Sequence, residues 1–336
     1  MKKYFLYELK KHIWTLVILS ALCTLPYVVD LATMTMVHNY TFEGAAKNYV
    51  QDPNMTFVFV ELLILLFVVP TIVYSFKMSK RSVDAYYSLP LKREKLYLVA
   101  TMVGLVLVLT PFTVSFWCGF VTLLFREGNP YHMGYYIPAY LGGVVFAVFL
   151  YGINAFIYTR ANRASDGVVF MGAYAIIGYF FILCLECAFG VEIHSWELQE
   201  YFFFSGSMFS FASWMGDYIV GSVLRDSIIG WGFALTIASG LLCYGLLYFA
   251  IRFEKGENAE QNSTSWFGYK TLIPIYVALC FGAGAAEEVY GFVVIAVAAI
   301  VATIVYKRKF KLKFIDWLPL IIGLTAGIAL MAIALV

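Results

Sequence analysis

The sequence predicts an all-α, polytopic membrane protein whose N-terminus lies in the cytoplasm. Of its 336 residues, 62% are hydrophobic and 13% are charged, against about 45–50% and about 25% in ordinary soluble domains. The apolar residues form long runs, and the basic residues cluster between those runs. A helix needs about 20 mostly apolar residues to cross about 30 Å of hydrocarbon, and most of these runs have that length.

Nine apolar runs are candidate membrane spans. They are residues 13–36, 57–76, 96–124, 137–158, 168–185, 228–251, 271–286, 289–306 and 317–335. The first six form a core over residues 13–251, and residues 252–336 add a hydrophobic region with two or three further spans. The seventh and eighth runs are short, so they form either full spans or a tight, re-entrant pair. The last run contains Gly323 and Gly327, a small-residue spacing that packs two helices closely.

The distribution of basic residues predicts the orientation. Of the 23 lysines and arginines, all except Lys47, Arg126 and Arg225 fall in segments that share one side of the membrane. These segments are 1–12, 77–95, 159–167, 252–270 and 307–316. Because lysine and arginine stay on the cytoplasmic side of inserted helices, the segments are predicted to be cytoplasmic. Segments 39–56 and 186–227 are then extracellular, and the chain belongs in the cell (plasma) membrane.

The first twelve residues have the pattern of an amphipathic helix. Apolar side chains recur at helical spacing on one face, at Phe5, Leu6, Leu9 and Ile13. The remainder is basic, with lysines at positions 2, 3, 10 and 11. This pattern is typical of a helix that lies in the cytoplasmic interface, although ordinary positive flanking of a first span is an alternative. Contacts with membrane lipids are expected in both cases.

The segment 77–95 carries the most information about function. Residues 79–88 are predicted to form a short helix that ends before Pro90, because proline disfavours helix in the residue before it. A second helix begins at Lys92-Arg93 and continues into the third span. A short surface helix between two spans is suited to docking a cytoplasmic partner.

This segment, Ser88-Leu89-Pro90-Leu91-Lys92-Arg93, resembles the coupling-helix region of type-2 permeases of ATP-binding cassette (ABC) exporters. Proteins of that family have a surface helix before span one, a coupling helix between spans two and three, and re-entrant helices between spans five and six. The resemblance covers about residues 1–251. The family has six spans, so residues 252–336 depart from its pattern.

The resemblance implies a cytoplasmic ABC ATPase subunit and a second permease chain, identical or related, as partners. The chain has no Gly-x-x-x-x-Gly-Lys-Ser/Thr phosphate loop, so it is not expected to be an enzyme by itself or to bind a cofactor. ATP and Mg would act through the partner ATPase. The residues expected to couple to that ATPase are Arg81, Ser82, Asp84, Tyr87, Leu89, Pro90 and Arg93.

The outer loop 186–227 is too apolar for a solvated loop and too interrupted for a span. Short apolar runs of this kind are often interfacial or re-entrant, and an aromatic belt at the headgroups is the alternative. The residues predicted to line a substrate path or outer gate are Glu61, Phe203, Phe204, Phe211 and Trp214. An ionisable group within a span is a functional candidate, but Glu61 lies near the outer end of its span, where exposure to water also explains it.

The predicted function is that of a transmembrane permease subunit of an ABC exporter. Its cargo would be an amphipathic peptide, an antimicrobial compound or a lipid, which suits an aromatic, weakly charged path. The alternatives are a membrane-embedded scaffold or sensor subunit without its own path, and a secondary transporter. The sequence predicts no catalytic residues, no metal ligands and no nucleic-acid binding, because its basic residues sit at helix ends and form no separate domain.

Overall fold

A computed structural model describes most of the chain. The described residues are 2–33, 36–42, 45–50, 56–125, 133–189, 228–254, 256–263, 265–283, 297, 299–304, 306 and 314–334. Within these ranges the architecture is helical, apart from one hairpin near the N-terminus.

The helices follow the predicted spans closely. Their bounds are α1 Lys2–Lys11, α2 Ile13–Thr33, α3 Thr56–Val73, α4 Lys80–Tyr87, α5 Arg93–Leu124, α6 Met133–Thr159, α7 Ala164–Phe189, α8 Ile228–Arg252, α9 Tyr269–Ala283 and α10 Phe314–Ala334. Residues 299–304 are also helical, and short 3₁₀ turns cover Ser75–Lys77 and Gly256–Asn258. Each predicted span therefore coincides, wholly or in part, with helical residues.

Among the residues that the structure describes, three helices are long and apolar enough to cross a membrane. They are Ile13–Thr33, Arg93–Leu124 and the Tyr136–Thr159 part of α6. Shorter apolar helical stretches cover Phe57–Val73, Ala164–Ile177, Thr236–Arg252, Tyr269–Cys280 and Trp317–Ala329. These lengths are consistent with a membrane protein, while the number of crossings and their orientation remain predictions.

A two-stranded hairpin departs from the all-α prediction. Strands β1 (Met36–Phe42) and β2 (Ala45–Val50) pair antiparallel, with Met36 opposite Val50 and an irregular register between Val37 and Tyr40. The sequence contains a signal for it, because valine, tyrosine, threonine and phenylalanine flank Glu43-Gly44. The charge pattern identified this stretch only as an outer loop.

The chain divides into two compact units. The first comprises Met1–Val73, Pro90–Ala155 and Met208–Phe253. The second comprises Tyr74–Leu89, Phe156–Ser207 and Glu254–Val336.

In the first unit, aromatic rings fill the space between α3, α5 and α6. Phe116 lies 5.4 Å from Tyr140 and 5.9 Å from Phe112, between ring centroids, and Phe59 lies 6.0 Å from Phe112. Aromatic rings at such distances stabilise a core beyond the area they bury. Gly119 allows α2 to approach α5, because a Cβ there would lie 2.1 Å from the ring of Tyr27.

A proline explains a buried amide in the same unit. Pro70 of α3 has no N–H, so it leaves the carbonyl of Leu66 without its helical donor. The side-chain amide of Asn154, which is 2% exposed, donates a hydrogen bond to that carbonyl at 3.0 Å. The α6 side chain thus replaces the bond that Pro70 removes, which is how prolines are tolerated in membrane helices.

In the second unit, α9 packs between α7 and α10. The ring of Tyr269 lies 4.9 Å from those of both Phe170 and Tyr306, and its hydroxyl donates to Asp166 Oδ1 at 3.2 Å. Gly323 of α10 lies against α9, because a Cβ there would lie 2.6 Å from the carbonyl oxygen of Pro274. The predicted close helix packing at Gly323 is confirmed.

Candidate functional site

The short helix predicted between the second and third spans is present as α4. It begins at Lys80, after the extended backbone of Ser79 with φ −122° and ψ 132°, and ends at Tyr87. Ser88 closes it, donating its N–H to the carbonyl of Asp84 at 3.1 Å. Pro90 follows, as expected beyond a helix end, because it cannot continue the helix. The second predicted helix also forms, as α5.

Helix α4 has one face packed and one face open. Val83 is 2% exposed, and a Cβ built on Gly256 would lie 2.9 Å from its side chain and 3.2 Å from the ring of Tyr87. The Tyr86 ring stacks on Phe76 with 4.7 Å between centroids. The exposed positions of the helix are Lys80, Arg81, Asp84 and Ala85. The second unit thus presents α4 as a fixed platform with a polar outer face.

A distant glutamate caps the N-terminus of α4. The side chain of Ser79 makes no capping hydrogen bond; instead Glu260 Oε1 accepts one from the backbone N–H of Lys80 at 3.2 Å. A carboxylate is favourable there, because the first turn of a helix has unpaired N–H groups and a positive dipole end.

The backbone of Glu260 is held in an unusual conformation to reach that position. Its φ is 65°, in the left-handed region that non-glycine residues rarely adopt. Its N–H donates to the carbonyl of Asn162 at 2.9 Å, and its own carbonyl accepts from Arg163 Nε at 2.7 Å. Strained backbone of this kind persists where its surroundings fix it and is concentrated at functional sites.

A buried lysine joins the base of α4 to two other segments. Lys77 is 5% exposed, forms an ion pair with Glu254, and donates a hydrogen bond to the carbonyl of Thr159. Burial lowers the pKa of the Lys77 ammonium to about 8, although the Glu254 carboxylate favours its charged form, and nearby Arg160 lowers the pKa further. A charge taken out of water needs such a partner.

Further hydrogen bonds extend this network into the C-terminal region. Ser263 Oγ donates to the carbonyl of Arg160 at 2.8 Å, and Tyr306 OH donates to the carbonyl of Ser263 at 2.8 Å. Asn262 Nδ2 donates to the carbonyl of Tyr306 at 2.9 Å. Three segments with the same predicted side, 77–95, 159–167 and 252–270, therefore supply residues to one polar cluster. No local sequence pattern marks these residues as partners.

The predicted coupling residues occupy different environments. Arg81, Asp84 and Leu89 are exposed, whereas Ser82 and Tyr87 are half-buried in the second unit. Pro90 and Arg93 belong to the first unit, where Arg93 begins α5.

The first unit has its own ion pair at the start of α5. Glu94 Oε1 lies 2.7 Å from Arg252 Nε, and Glu94 Oε2 accepts a hydrogen bond from Tyr248 OH at 2.9 Å. Arg252 Nη2 donates to the same tyrosine hydroxyl at 3.1 Å. These contacts join the last turn of α8 to the first turn of α5.

Glu61 does not lie in water, so the interpretation that water exposure explains it is wrong. It is 8% exposed, and its Oε2 accepts a hydrogen bond from Ser115 Oγ of α5 at 2.9 Å. The packing of α3 on α5 brings the two residues together although they lie 54 positions apart.

The other predicted gate residues, Phe203, Phe204, Phe211 and Trp214, lie outside the described residues, as does nearly all of the outer loop 186–227. The re-entrant helices predicted there stay a prediction. Among the residues that the structure describes, no group of three or more histidine, cysteine, aspartate or glutamate side chains is placed to hold a metal ion.

Comparison of the chain with protein-family models, with curated proteins and with solved structures finds no match.

Proposed function

We propose that this chain is the transmembrane permease subunit of an ABC exporter and that α4 is the element that docks on a separate cytoplasmic ATPase. The observation that carries the proposal is the presentation of α4: a short helix between two apolar helices, packed on one face and polar and exposed on the other. A helix that transmits movement must be fixed to the body that moves. The Lys77 ion pair and the Glu260 cap supply that attachment.

The segment 252–270, which supplies the Glu260 cap of α4, also contains residues typical of a membrane interface. Trp266 is 70% exposed, and the ammonium of Lys270 lies 4.4 Å from the centre of its ring. Tryptophan is enriched where membrane meets water, and lysine marks the cytoplasmic side. This pair supports a position of the segment 252–270 at the cytoplasmic surface.

The remaining parts of the proposal rest on the resemblance. A second permease chain would complete the path, and the ATPase would bind ATP and Mg. The cargo would be an amphipathic peptide, an antimicrobial compound or a lipid, since the aromatic core of the first unit is weakly charged.

Charge reversal on the open face of α4 tests the proposal. The double substitution Arg81→Glu and Asp84→Lys changes two exposed side chains and retains helix-forming residues. We expect it to abolish co-purification of an ATPase, and ATP hydrolysis sensitive to vanadate, when the chain is isolated from the cells that make it. The matched control is Lys10→Glu, which reverses an exposed charge on α1. Because surface substitutions usually change stability by at most about 0.5 kcal/mol, both variants should fold.

Two outcomes would reject the proposal. In the first, no ATPase co-purifies with the wild-type chain in mild detergent. This result is the one expected of a scaffold, a sensor or a secondary transporter. In the second, the ATPase is recovered equally with wild type and with the double variant, so that α4 is not its docking element.

A further inference from the structure

Oxygen atoms from three helices meet inside the first unit. Ser115 Oγ of α5 lies 2.9 Å from Glu61 Oε2 of α3 and 3.4 Å from the backbone carbonyl oxygen of Cys23 of α2. Ser115 is fully buried and Glu61 is 8% exposed. We propose that Glu61, Ser115 and the Cys23 carbonyl form a binding site for a monovalent metal cation, with Na⁺ as the probe. The inference does not depend on which partner powers the protein.

The carboxylate of Glu61 has unused binding capacity. Its Oε1 is buried and has no hydrogen-bond partner, and no lysine or arginine pairs with it among the residues that the structure describes. A buried ionised carboxylate is very costly without a counter-charge, and ionisable groups among membrane helices mark ion or substrate sites by default. A bound cation supplies the missing charge.

The backbone of α2 also carries a freed carbonyl one residue before Cys23. Pro26 has no N–H, so the carbonyl of Leu22, the residue before Cys23, has no helical donor. Backbone carbonyls at interrupted membrane helices coordinate Na⁺ in transporters. The turn from Leu22 to Pro26 therefore has acceptor oxygens in excess of its donors.

The ligand set indicates the class of cation. Carboxylate, hydroxyl and carbonyl oxygens are hard ligands, which suit alkali and alkaline-earth ions and not zinc or copper. One carboxylate balances one positive charge, whereas a divalent ion would leave a net charge in an apolar environment. Ser115 and Glu61 are themselves buried, at 0% and 8% exposure, and a buried site of low dielectric strengthens the attraction between cation and carboxylate.

A second buried glutamate in the same unit provides a matched control. Glu8 of α1 is also 8% exposed and also has an Oε1 atom without a hydrogen-bond partner. Its charge is already balanced, however, because its Oε2 lies 3.7 Å from the ammonium of Lys11. Glu8→Gln therefore removes a buried carboxylate without touching the proposed site.

The experiment measures thermal unfolding of the purified full-length chain in lipid nanodiscs. Sodium, potassium and choline chloride are compared at constant ionic strength, so that general salt effects cancel. We expect the unfolding midpoint of the wild type to rise with Na⁺ and to saturate, as for a ligand that binds only the folded state. Glu61→Gln should lose the rise, Ser115→Ala should need at least tenfold more Na⁺, and Glu8→Gln should respond like the wild type.

Equilibrium binding of radioactive ²²Na⁺ gives a readout that does not depend on stability. One ion should bind per wild-type chain and none per Glu61→Gln chain. An equal rise of the unfolding midpoint in choline, or an unchanged Na⁺ response in Glu61→Gln, would overturn the inference. So would a midpoint that depends on pH but is the same in Na⁺ and choline, because Glu61 would then exchange a proton and bind no metal ion.

Discussion

The segment that carries α4 has an ion pair near each end, and the two pairs differ in burial. Near its start, in the second unit, the side chains of Lys77 and Glu254 are 5% and 12% exposed. Near its end, in the first unit, those of Arg252 and Glu94 are 46% and 30% exposed. Each pair joins this segment to a residue at or just after the end of α8, Arg252 or Glu254, but the two pairs are expected to differ in their effect on stability.

Burial determines how much stability is lost when one member of an ion pair is removed. An exposed pair is screened by water and salt and contributes little. A buried pair need not be more stabilising than well-packed apolar residues, but removal of one member leaves an uncompensated charge. Removal of one member of the Lys77–Glu254 pair should therefore lower the free energy of unfolding much more than removal of one member of the Arg252–Glu94 pair.

The largest effect is expected from Lys77→Met. The substitution leaves the Glu254 carboxylate without its ammonium and the carbonyl of Thr159 without its donor, and it should lower the free energy of unfolding by about 3–5 kcal/mol. The control is the double variant Lys77→Met with Glu254→Leu, which removes both charges and should recover most of the loss. Denaturant unfolding in detergent measures both. A loss below about 1 kcal/mol for the single variant would contradict a buried, coupled pair.

The second-largest effect is expected in the pH dependence of the free energy of unfolding. Burial lowers the pKa of Lys77 to about 8 from its ordinary value of 10.5, so between these values the unfolded chain binds more protons than the folded chain. Stability should therefore rise with pH across this window, by at most about 1.4 kcal/mol per unit, and be independent of Lys77 below it. The measurement is the unfolding free energy from pH 7 to 10.5. Lys77→Met should lack this part of the rise. If the variant and the wild type had the same pH profile, Lys77 would not be the group responsible.

The smallest effect is expected from Arg252→Ala. The Glu94 carboxylate keeps its hydrogen bond from Tyr248, so it is not left without a partner. The expected loss of unfolding free energy is small compared with that of Lys77→Met, because water screens this pair, and it should shrink further at high salt. The same unfolding experiment at low and high ionic strength tests this. A loss as large as that of Lys77→Met would show that burial is not what distinguishes the pairs.

Local pattern was enough to predict the helices and α4. Long apolar runs predicted where the apolar helices form, and the order of polar helix, Leu89-Pro90 and basic start predicted that α4 and α5 are separate. These features depend on neighbouring residues, which is why sequence reveals them. The hairpin at Met36–Val50 could also have been predicted, because its β-forming residues flank a turn sequence.

Long-range partners were not predictable in this way. Lys77 lies 82 positions from Thr159, and Lys80 lies 180 positions from Glu260. Nothing in the chemistry of either lysine identifies these partners, because only the tertiary packing of the second unit brings them close. Prolines inside apolar runs were an available signal, since each implies a freed carbonyl, but Pro70 did not reveal that Asn154 bonds the carbonyl it frees.

The proposed docking of α4 on a cytoplasmic ATPase requires that α4 lies on the cytoplasmic side of the membrane. In a variant without native cysteines, Ala85→Cys places a thiol at an exposed position of α4, and Thr41→Cys places one in the segment predicted to be extracellular. A membrane-impermeant maleimide is applied to intact and to permeabilised cells. We expect Ala85→Cys to be labelled only after permeabilisation and Thr41→Cys to be labelled in both conditions. Labelling of Ala85→Cys in intact cells would contradict the cytoplasmic docking role of α4.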